Sequence, residues 1–392
     1  MSCLGRFFLK PILLCFFLSF FLAGCSEMPA SLRASSFSQT PVPNTPNKVA
    51  LLLPLSGGLA SSSQAIRNGF FAAYYHHKQE SLTAPEIQVF DTTQGDIISI
   101  YQQAVHQGAK VIIGPLTKDD VIKLAQWNQL SVPTLALNSI GVGPIHNLFQ
   151  FGLSPIDEAQ QAALRAWTDG YRQTLVLAPN TSWGHANANV FIQQFQQYGG
   201  TVVDQAYYND QSSLDPTIRQ LLQINSSIIN NKRASSLHKR RQDADMIFLI
   251  APPEFARQIK PLLNYYFAGD LPVYATSHVY QGVPNPSLDG DLNGIQFCDM
   301  PWTINSQNLV PGYLNNVRSN IMQAWPDSFA AQPRLYALGV DAYDVIALLQ
   351  NMQASPRYIV DAATGMLTLT SQQRISRQLY WAHFQNGVPQ SQ

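Results

Sequence analysis

Lys48-Val49-Ala50-Leu51-Leu52-Leu53-Pro54-Leu55-Ser56-Gly57-Gly58 is the stretch that decides the fold. Val49 to Leu53 is an apolar run of strand length, stopped by a proline that cannot continue a ladder. After the small polar turn, Gln64 to His77 carries Ala65, Ile66, Gly69, Phe70, Ala73 and Tyr74 on one helical face. A strand that is apolar on both faces, followed by an amphipathic helix, is the repeating unit of a parallel sheet covered on both sides.

The unit recurs downstream. Ile87 to Phe90 is the next strand, and Ile97, Ile98, Tyr101, Ala104 and Val105 repeat the helical spacing. Val111-Ile112-Ile113 is a strand stopped by Gly114-Pro115, and Thr134 to Leu137 follows a helix containing Val121 to Trp127. A second series then begins, with strands at Leu175 to Leu177, Thr201 to Tyr208, Met246 to Ile250 and Val273 to Ala275. Its helices are expected at Asn187 to Tyr198, Ile218 to Ile224 and Phe255 to Phe267. Two series imply an α/β protein with two doubly wound parallel-sheet lobes and right-handed crossovers. A long helix, Arg334 to Gln350, and a closing strand-helix from Met366 to Phe384 must join one lobe or the other.

The first residues point to export. Arg6 and Lys10 precede Pro11 to Leu22, an apolar run shorter than the roughly 20 residues a spanning helix needs. This reads as residues 1–24 of a secretory signal, ending in Leu22-Ala23-Gly24-Cys25. That ending resembles the lipobox of bacterial lipoproteins, which implies acylation of Cys25 and anchoring by two or more lipid chains. Ser26, in place of the aspartate that marks inner-membrane retention in lipoproteins, points to the outer membrane. Residues 25–47 are then the lipidated cysteine and a Ser/Pro/Thr-rich tether reaching about 25 Å as flexible coil.

Charge excludes one class of partner. The chain has 24 basic and 24 acidic residues, only 12% charged, against roughly 25% in ordinary soluble domains. No basic footprint for nucleic acid is present. With Cys3 and Cys15 in the signal and Cys25 lipidated, Cys298 remains alone, so no disulfide framework is expected. It lies in Gly294-Ile295-Gln296-Phe297-Cys298, which alternates like a strand and suits a buried, inert thiol.

Ligands of open parallel sheets bind beyond the carboxyl ends of the strands. Those positions hold Ser56 and Gly57, Gly114 and Thr117, Asn138 and Ser139, then Ser182, Thr276 and Ser277. They are the candidate cleft residues, although the same residue types serve any strand-to-helix turn. His76-His77 with Glu80 has helical spacing for a metal pair, but the polar face of a surface helix accounts for it better. No H-E-x-x-H or G-x-S-x-G motif occurs, and neither catalytic residues, metal nor cofactor is indicated. Lys232, Arg233, Lys239, Arg240 and Arg241 cluster in a charge-poor chain. They form either a solvated loop or a basic patch for an acidic partner surface, and Lys239, Arg240 and Arg241 are the candidate contact residues.

Leu52 to Gly57 with Ile112 to Leu116 resembles the type I periplasmic binding proteins of the leucine/isoleucine/valine class. Arg241-Gln242-Asp243-Ala244-Asp245-Met246-Ile247-Phe248, Leu271-Pro272-Val273-Tyr274-Ala275-Thr276-Ser277, Asp291-Leu292-Asn293-Gly294-Ile295 and Pro301-Trp302 are more specific. Together they resemble the LppC/LpoA family, outer-membrane lipoproteins that activate class A penicillin-binding proteins. The resemblance runs over nearly the whole chain from Lys48 and implies a division into 48–152 plus 278–357 and 153–277 plus 358–392. Larger family members place a helical-repeat domain before this part, where the chain has its tether, so the expected match is to their C-terminal domain.

Two functions follow as expectations. The first is a lipoprotein that docks on a class A penicillin-binding protein and stimulates peptidoglycan synthesis. The second is a solute-binding lipoprotein that captures an amino acid, a wall peptide or another small molecule between its lobes. Contact with peptidoglycan itself fits either.

Overall fold

The computed structural model of the protein describes residues 46–80, 84–224, 239–304, 310–355 and 357–392. The signal, Cys25, nearly all of the tether, and Lys232 and Arg233 lie outside them. Residues 44–392 form one compact unit.

The chain opens with β1 (Lys48–Leu53), α1 (Ala60–Glu80), β2 (Glu86–Asp91) and α2 (Ile97–His106). It continues through β3 (Val111–Ile113), α3 (Lys118–Trp127), β4 (Thr134–Ala136) and β5 (Leu148–Gln150). These strands make a parallel sheet in the order β2-β1-β3-β4-β5. Alternation along β1 sends Val49, Leu51 and Leu53 to one face, where α1 covers them with Ile66 and Phe70. Ala50 and Leu52 go to the other, against Ile97 and Tyr101 of α2 and Val121 and Leu124 of α3.

The second series runs α4 (Pro155–Thr168), β6 (Gln173–Pro179), α5 (Ser182–Gln197), β7 (Thr201–Tyr208) and α6 (Gln211–Leu221). Then come β8 (Met246–Leu249), α7 (Pro253–Tyr265), β9 (Val273–Ala275), α8 (Pro286–Asp289) and β10 (Ile295–Asp299). Leu175, Leu177, Ile247 and Leu249 pack on α6 and α7, while Val176, Ala178 and Phe248 pack on α4 and α5. Two helix starts lie earlier than the apolar spacing predicted. Thr181 caps α5 through the Gly184 N–H, and Asp210 closes a capping box on α6, so polar first turns precede the apolar stripe.

The remainder is α9 (Gly312–Ala324), α10 (Pro326–Ala331), α11 (Pro333–Ala354), β11 (Val360–Ala362), β12 (Gly365–Leu369), β13 (Ile375–Gln378), β14 (Tyr380–Gln385) and β15 (Val388–Ser391). α11 lies beside α1 at backbone contact. A Cβ on Gly69 would run into the Tyr336 carbonyl, and one on Gly339 into the Ile66 carbonyl. Both positions therefore require glycine.

Two expectations are corrected here. The closing segment holds no helix from Met366 to Phe384. Leu367, Ile375, Arg377, Ala382 and Phe384 are buried at strand spacing, and β12, β13 and β14 result. The lobe boundaries also shift. β10 pairs in parallel with β9 and antiparallel with β14, inside a sheet ordered β15-β14-β10-β9-β8-β6-β7. The crossing expected at His278 thus falls after Asp299. Conversely, Val360, Ala362, Leu367 and Ile375 of the small sheet β11-β12-β13 pack into the first core, not the second. Cys298 is fully buried in β10 as a free thiol, and burial pushes its pKa well up.

Candidate functional site

At the first sheet's strand ends, the Leu55 N–H and the Thr93 N–H both donate to Asp91 Oδ1, at 2.9 and 3.0 Å. Burial would raise the Asp91 carboxyl, but these bonds with those of Thr93 Oγ1 and Gln94 outweigh it and hold it at about 2. Ser56 Oγ lies 2.7 Å from Thr93 Oγ1, and Gly57 is exposed at φ +74°. Gly114 sits at φ +101°, where a side chain would strike the Leu52 carbonyl. Thr117 caps α3, accepting from the Asp120 N–H at 3.2 Å and donating to its carboxylate at 2.6 Å. Asn138 Nδ2 donates to the Leu116 carbonyl at 3.0 Å, while its Oδ1 accepts from the Ser139 N–H at 2.9 Å. Asn138 thereby joins the turns after β3 and β4. The candidate residues of this lobe build their own turns and caps.

In the second lobe, Ser182 is exposed at the start of α5, and the Trp183 ring lies 4.8 Å from the His278 ring. Thr276 and Ser277 are buried at 1% and 2% exposure, so neither lines an open surface. The Ser277 N–H donates to Glu158 Oε2 at 3.0 Å, and its carbonyl accepts from Arg334 at 3.0 Å. Burial alone would raise the Glu158 carboxyl. The hydrogen bond and charge of His278, the charge of Arg377 and the Ser277 N–H hold it below its usual value. Among the described residues no hydrogen bond joins the first lobe's candidate set to Ser182, Thr276 or Ser277.

What joins the lobes is a set of charged residues that sequence reasoning missed. Arg334 of α11 reaches Asp299 at the end of β10. Arg374 pairs with Asp157 of α4 at 3.0 Å, and Gln161 of α4 exchanges bonds with the Arg377 carbonyl and the Leu379 N–H at 3.0 and 2.8 Å. The same hairpin holds the first sheet: the Gln150 N–H donates to the Gln373 carbonyl at 2.9 Å, and Arg377 Nε to the Gly152 carbonyl at 3.2 Å. Within the first lobe, Asp341 of α11 accepts from the Ala363 and Thr364 N–H groups at 2.8 and 2.7 Å. The sequence signal for Asp341 was available: a lone acid in the apolar run Leu338-Gly339-Val340-Asp341-Ala342.

The basic stretch is a correction. Arg240, only 3% exposed at its side chain, forks onto Asp270 at 2.7 and 2.9 Å and donates to the Phe267 carbonyl. Arg241 bonds Asp204 and Asp243, each at 2.8 Å, and Lys239 Nζ lies 4.4 Å from the Phe267 ring centroid. These three residues staple the second lobe and present no free basic patch. His77 likewise turns to Asp344, at 3.0 Å, which also accepts from the Tyr313 hydroxyl at 2.7 Å. Among the described residues no group of three or more His, Cys, Asp or Glu side chains is arranged to hold a metal.

Two doubly wound lobes with three crossings define a body of the periplasmic-binding-protein type. A solute-binding protein of an ABC transporter from Rhodopseudomonas palustris shares this fold, with TM-score 0.57, 15% identity, 87% of this chain and 94% of that one. More particularly, the chain belongs to the LppC lipoprotein family, which matches residues 25–387. It is 30% identical over 353 residues to a penicillin-binding protein activator LpoA from Photobacterium profundum, covering 86% of this chain and 56% of that protein. The chain thus spans little more than half the length of that relative. It is also similar to the solved LpoA C-domain of Haemophilus influenzae, described as a regulator of PBP1A. There the TM-score is 0.69 at 28% identity, covering 88% of this chain and 99% of that domain.

Proposed function

We propose that the chain is the body of an envelope lipoprotein that docks on a class A penicillin-binding protein and stimulates its peptidoglycan synthesis. The observation that carries this reading is the likeness to the LpoA C-domain, over 99% of a domain described as a regulator of PBP1A. The strand ends agree with it. Thr117, Asn138, Thr276 and Ser277 are occupied by caps, turns and interlobe bonds, so they leave few groups to meet a solute. The action is docking rather than chemistry at the site, in keeping with relatives named as activators. Acylation of Cys25 would hold the body at the outer membrane, facing the periplasm, on the tether before Lys48.

The test is the glycan-polymerising rate of a purified class A synthase with and without the mature chain lacking its lipid. A rise in rate with saturable binding is expected. A synthase that neither binds the chain nor changes rate would sink the reading. Solute capture is the second reading, favoured by the Trp183–His278 ring pair beside exposed Ser182. Calorimetric binding of an amino acid or wall peptide, lost in Trp183→Ala, would support it.

A further inference from the structure

Between β2 and α2 lies a groove of about 500 Å³, within the roughly 300–1,000 Å³ of small-molecule sites. None of the candidate cleft residues lines it. Four of its side chains are glutamines: Gln88 on β2, Gln94 in the turn after it, Gln103 on α2 and Gln107 at the C-cap of that helix. Spacings of three and four put Ile100, Gln103 and Gln107 on one face of α2.

Hydrogen bonds fix what the glutamines offer. Gln88 Nε2 donates to Glu86 Oε1 at 3.2 Å, which orients the amide so that its Oε1 is an acceptor, buried and without a partner. Gln94 Nε2 donates to Asp91 Oδ2 at 3.0 Å and to Thr93 Oγ1 at 3.3 Å, which leaves its Oε1 to accept as well. Gln103 and Gln107 are exposed, and among the described residues no hydrogen bond engages either side chain. Those two amides can both donate and accept. A buried acceptor without a donor is costly, so a fitting ligand must bring donors.

Charge is nearly absent. No Lys, Arg or His lines the groove, so nothing there pairs with a phosphate or carboxylate. Its one acid, Asp91, already accepts from the Leu55 N–H, the Thr93 N–H, the Thr93 hydroxyl and the Gln94 amide. Little of that carboxylate is left for a cation. An apolar ligand would leave the amides unpaired. What fits is a neutral molecule with several donors and some C–H surface for Phe90 and Ile100. A hydroxyl both donates and accepts, so it matches either end of an amide. Sugar rings carry hydroxyls around the rim and C–H groups on the faces, and an acetamido group adds an N–H, a carbonyl and a methyl.

We propose that the groove between β2 and α2 is a binding site for a neutral saccharide bearing hydroxyl and acetamido groups. An extended peptide fits less well, because its N–H groups alternate between two edges and half of them turn away from the amides. The site stands apart from the docking reading, and either can fail alone.

The experiment is a titration of the isotopically labelled mature chain, without lipid, with N,N′-diacetylchitobiose, a neutral disaccharide carrying two acetamido groups. One-to-one saturation is expected, with the side-chain amide signals of Gln94, Gln103 and Gln107 shifting together. Gln103→Ala with Gln107→Ala removes both adaptable amides at exposed positions that alanine suits, and should weaken binding by about tenfold or more. No saturation up to about 10 mM overturns the site. Binding undiminished in the double variant also overturns it, by placing the sugar elsewhere, and so does tighter binding of an acetylated and amidated tetraserine peptide. Purified peptidoglycan sacculi separate two sources of the same chemistry. Retention of the parent chain on sacculi, reversed by the free disaccharide and lost in the double variant, supports the site and assigns it to wall glycan. Saturation by the disaccharide without retention on sacculi supports the site and assigns it to a free saccharide.

Discussion

Arg334, in the first turn of α11, lays its guanidinium along the carboxylate of Asp299 at the end of β10, with Nε–Oδ1 3.1 Å and Nη2–Oδ2 2.5 Å. The same Nη2 donates to the carbonyls of Ser277 and Tyr280, each at 3.0 Å. A helix packed on the first sheet is thereby tied to two strand ends of the second. Asp299 is 1% exposed, so its charge depends on this one cation being present.

Removing one partner strands the other. Arg334→Ala is expected to lower unfolding free energy by about 3–5 kcal/mol in urea titration, because Asp299 is left charged in the interior. The double variant Arg334→Met with Asp299→Leu should cost clearly less than the sum of the two single changes. Strict additivity in that cycle would mean the pair is not coupled, against the geometry.

Asp341 gives a pH prediction. Burial raises its carboxyl to about 7, against hydrogen bonds from the Thr364 and Ala363 N–H groups that favour ionisation. The folded state then binds the proton more tightly than the unfolded chain, whose carboxyl titrates at 3.8. Stability from this group is complete below pH 3.8 and is lost as pH rises through about 7. The whole step is about 4 kcal/mol. Denaturant titrations at pH 5 and pH 8 should show most of it, and Asp341→Asn should flatten the difference. A difference as large in the variant as in the parent would assign the step to another group.

Arg240 and Arg241 act on stability. Reversing Arg240 to Glu sets two like charges together at Asp270 and leaves the Phe267 carbonyl without its donor. A loss of about 2–4 kcal/mol is expected, seen as a lower midpoint in thermal or urea unfolding. Synthase binding per folded molecule should not change. Weakened binding at unchanged stability would restore the basic stretch as a contact surface.

How much of this could be read from sequence follows from what each feature depends on. Val49 to Leu53 and Met246 to Leu249 are legible because burial on both faces demands an unbroken apolar run. Cys298 is legible for the same reason, as an alternating strand position that excludes water. The strands β12 to β14 are short, and their alternation is shared with two turns, so they imitate a mixed pattern. The membership of β10 is a matter of long-range pairing with β9 and β14, which no local periodicity contains. Arg334 and Asp299 lie 35 residues apart, and Arg240 and Asp270 lie 30 apart. A run of basic residues looks solvated when its acids are elsewhere in the chain. Of the candidate site, the strand-end residues were found because turn chemistry marks them, and for the same reason most of them proved to be turn-makers.

Ser56 and Ser182 provide the last prediction, since both are exposed strand-end residues that cap no helix through their side chains. Ser56 contributes one hydroxyl contact with Thr93, and the α5 cap belongs to Thr181. Replacing each by arginine therefore adds bulk at the strand ends of both sheets at a stability cost of about 1 kcal/mol or less. If the chain works by docking through its surface, the double variant Ser56→Arg with Ser182→Arg should stimulate a class A synthase within about twofold of the parent, a difference of about 0.4 kcal/mol. Solute capture predicts the reverse, because bulk at both strand ends would exclude a ligand and abolish its calorimetric signal. The two readings thus separate on one protein, assayed for polymerising rate and for small-molecule heat. Lost stimulation in a variant that still unfolds at the parent's midpoint would place the working surface at these strand ends.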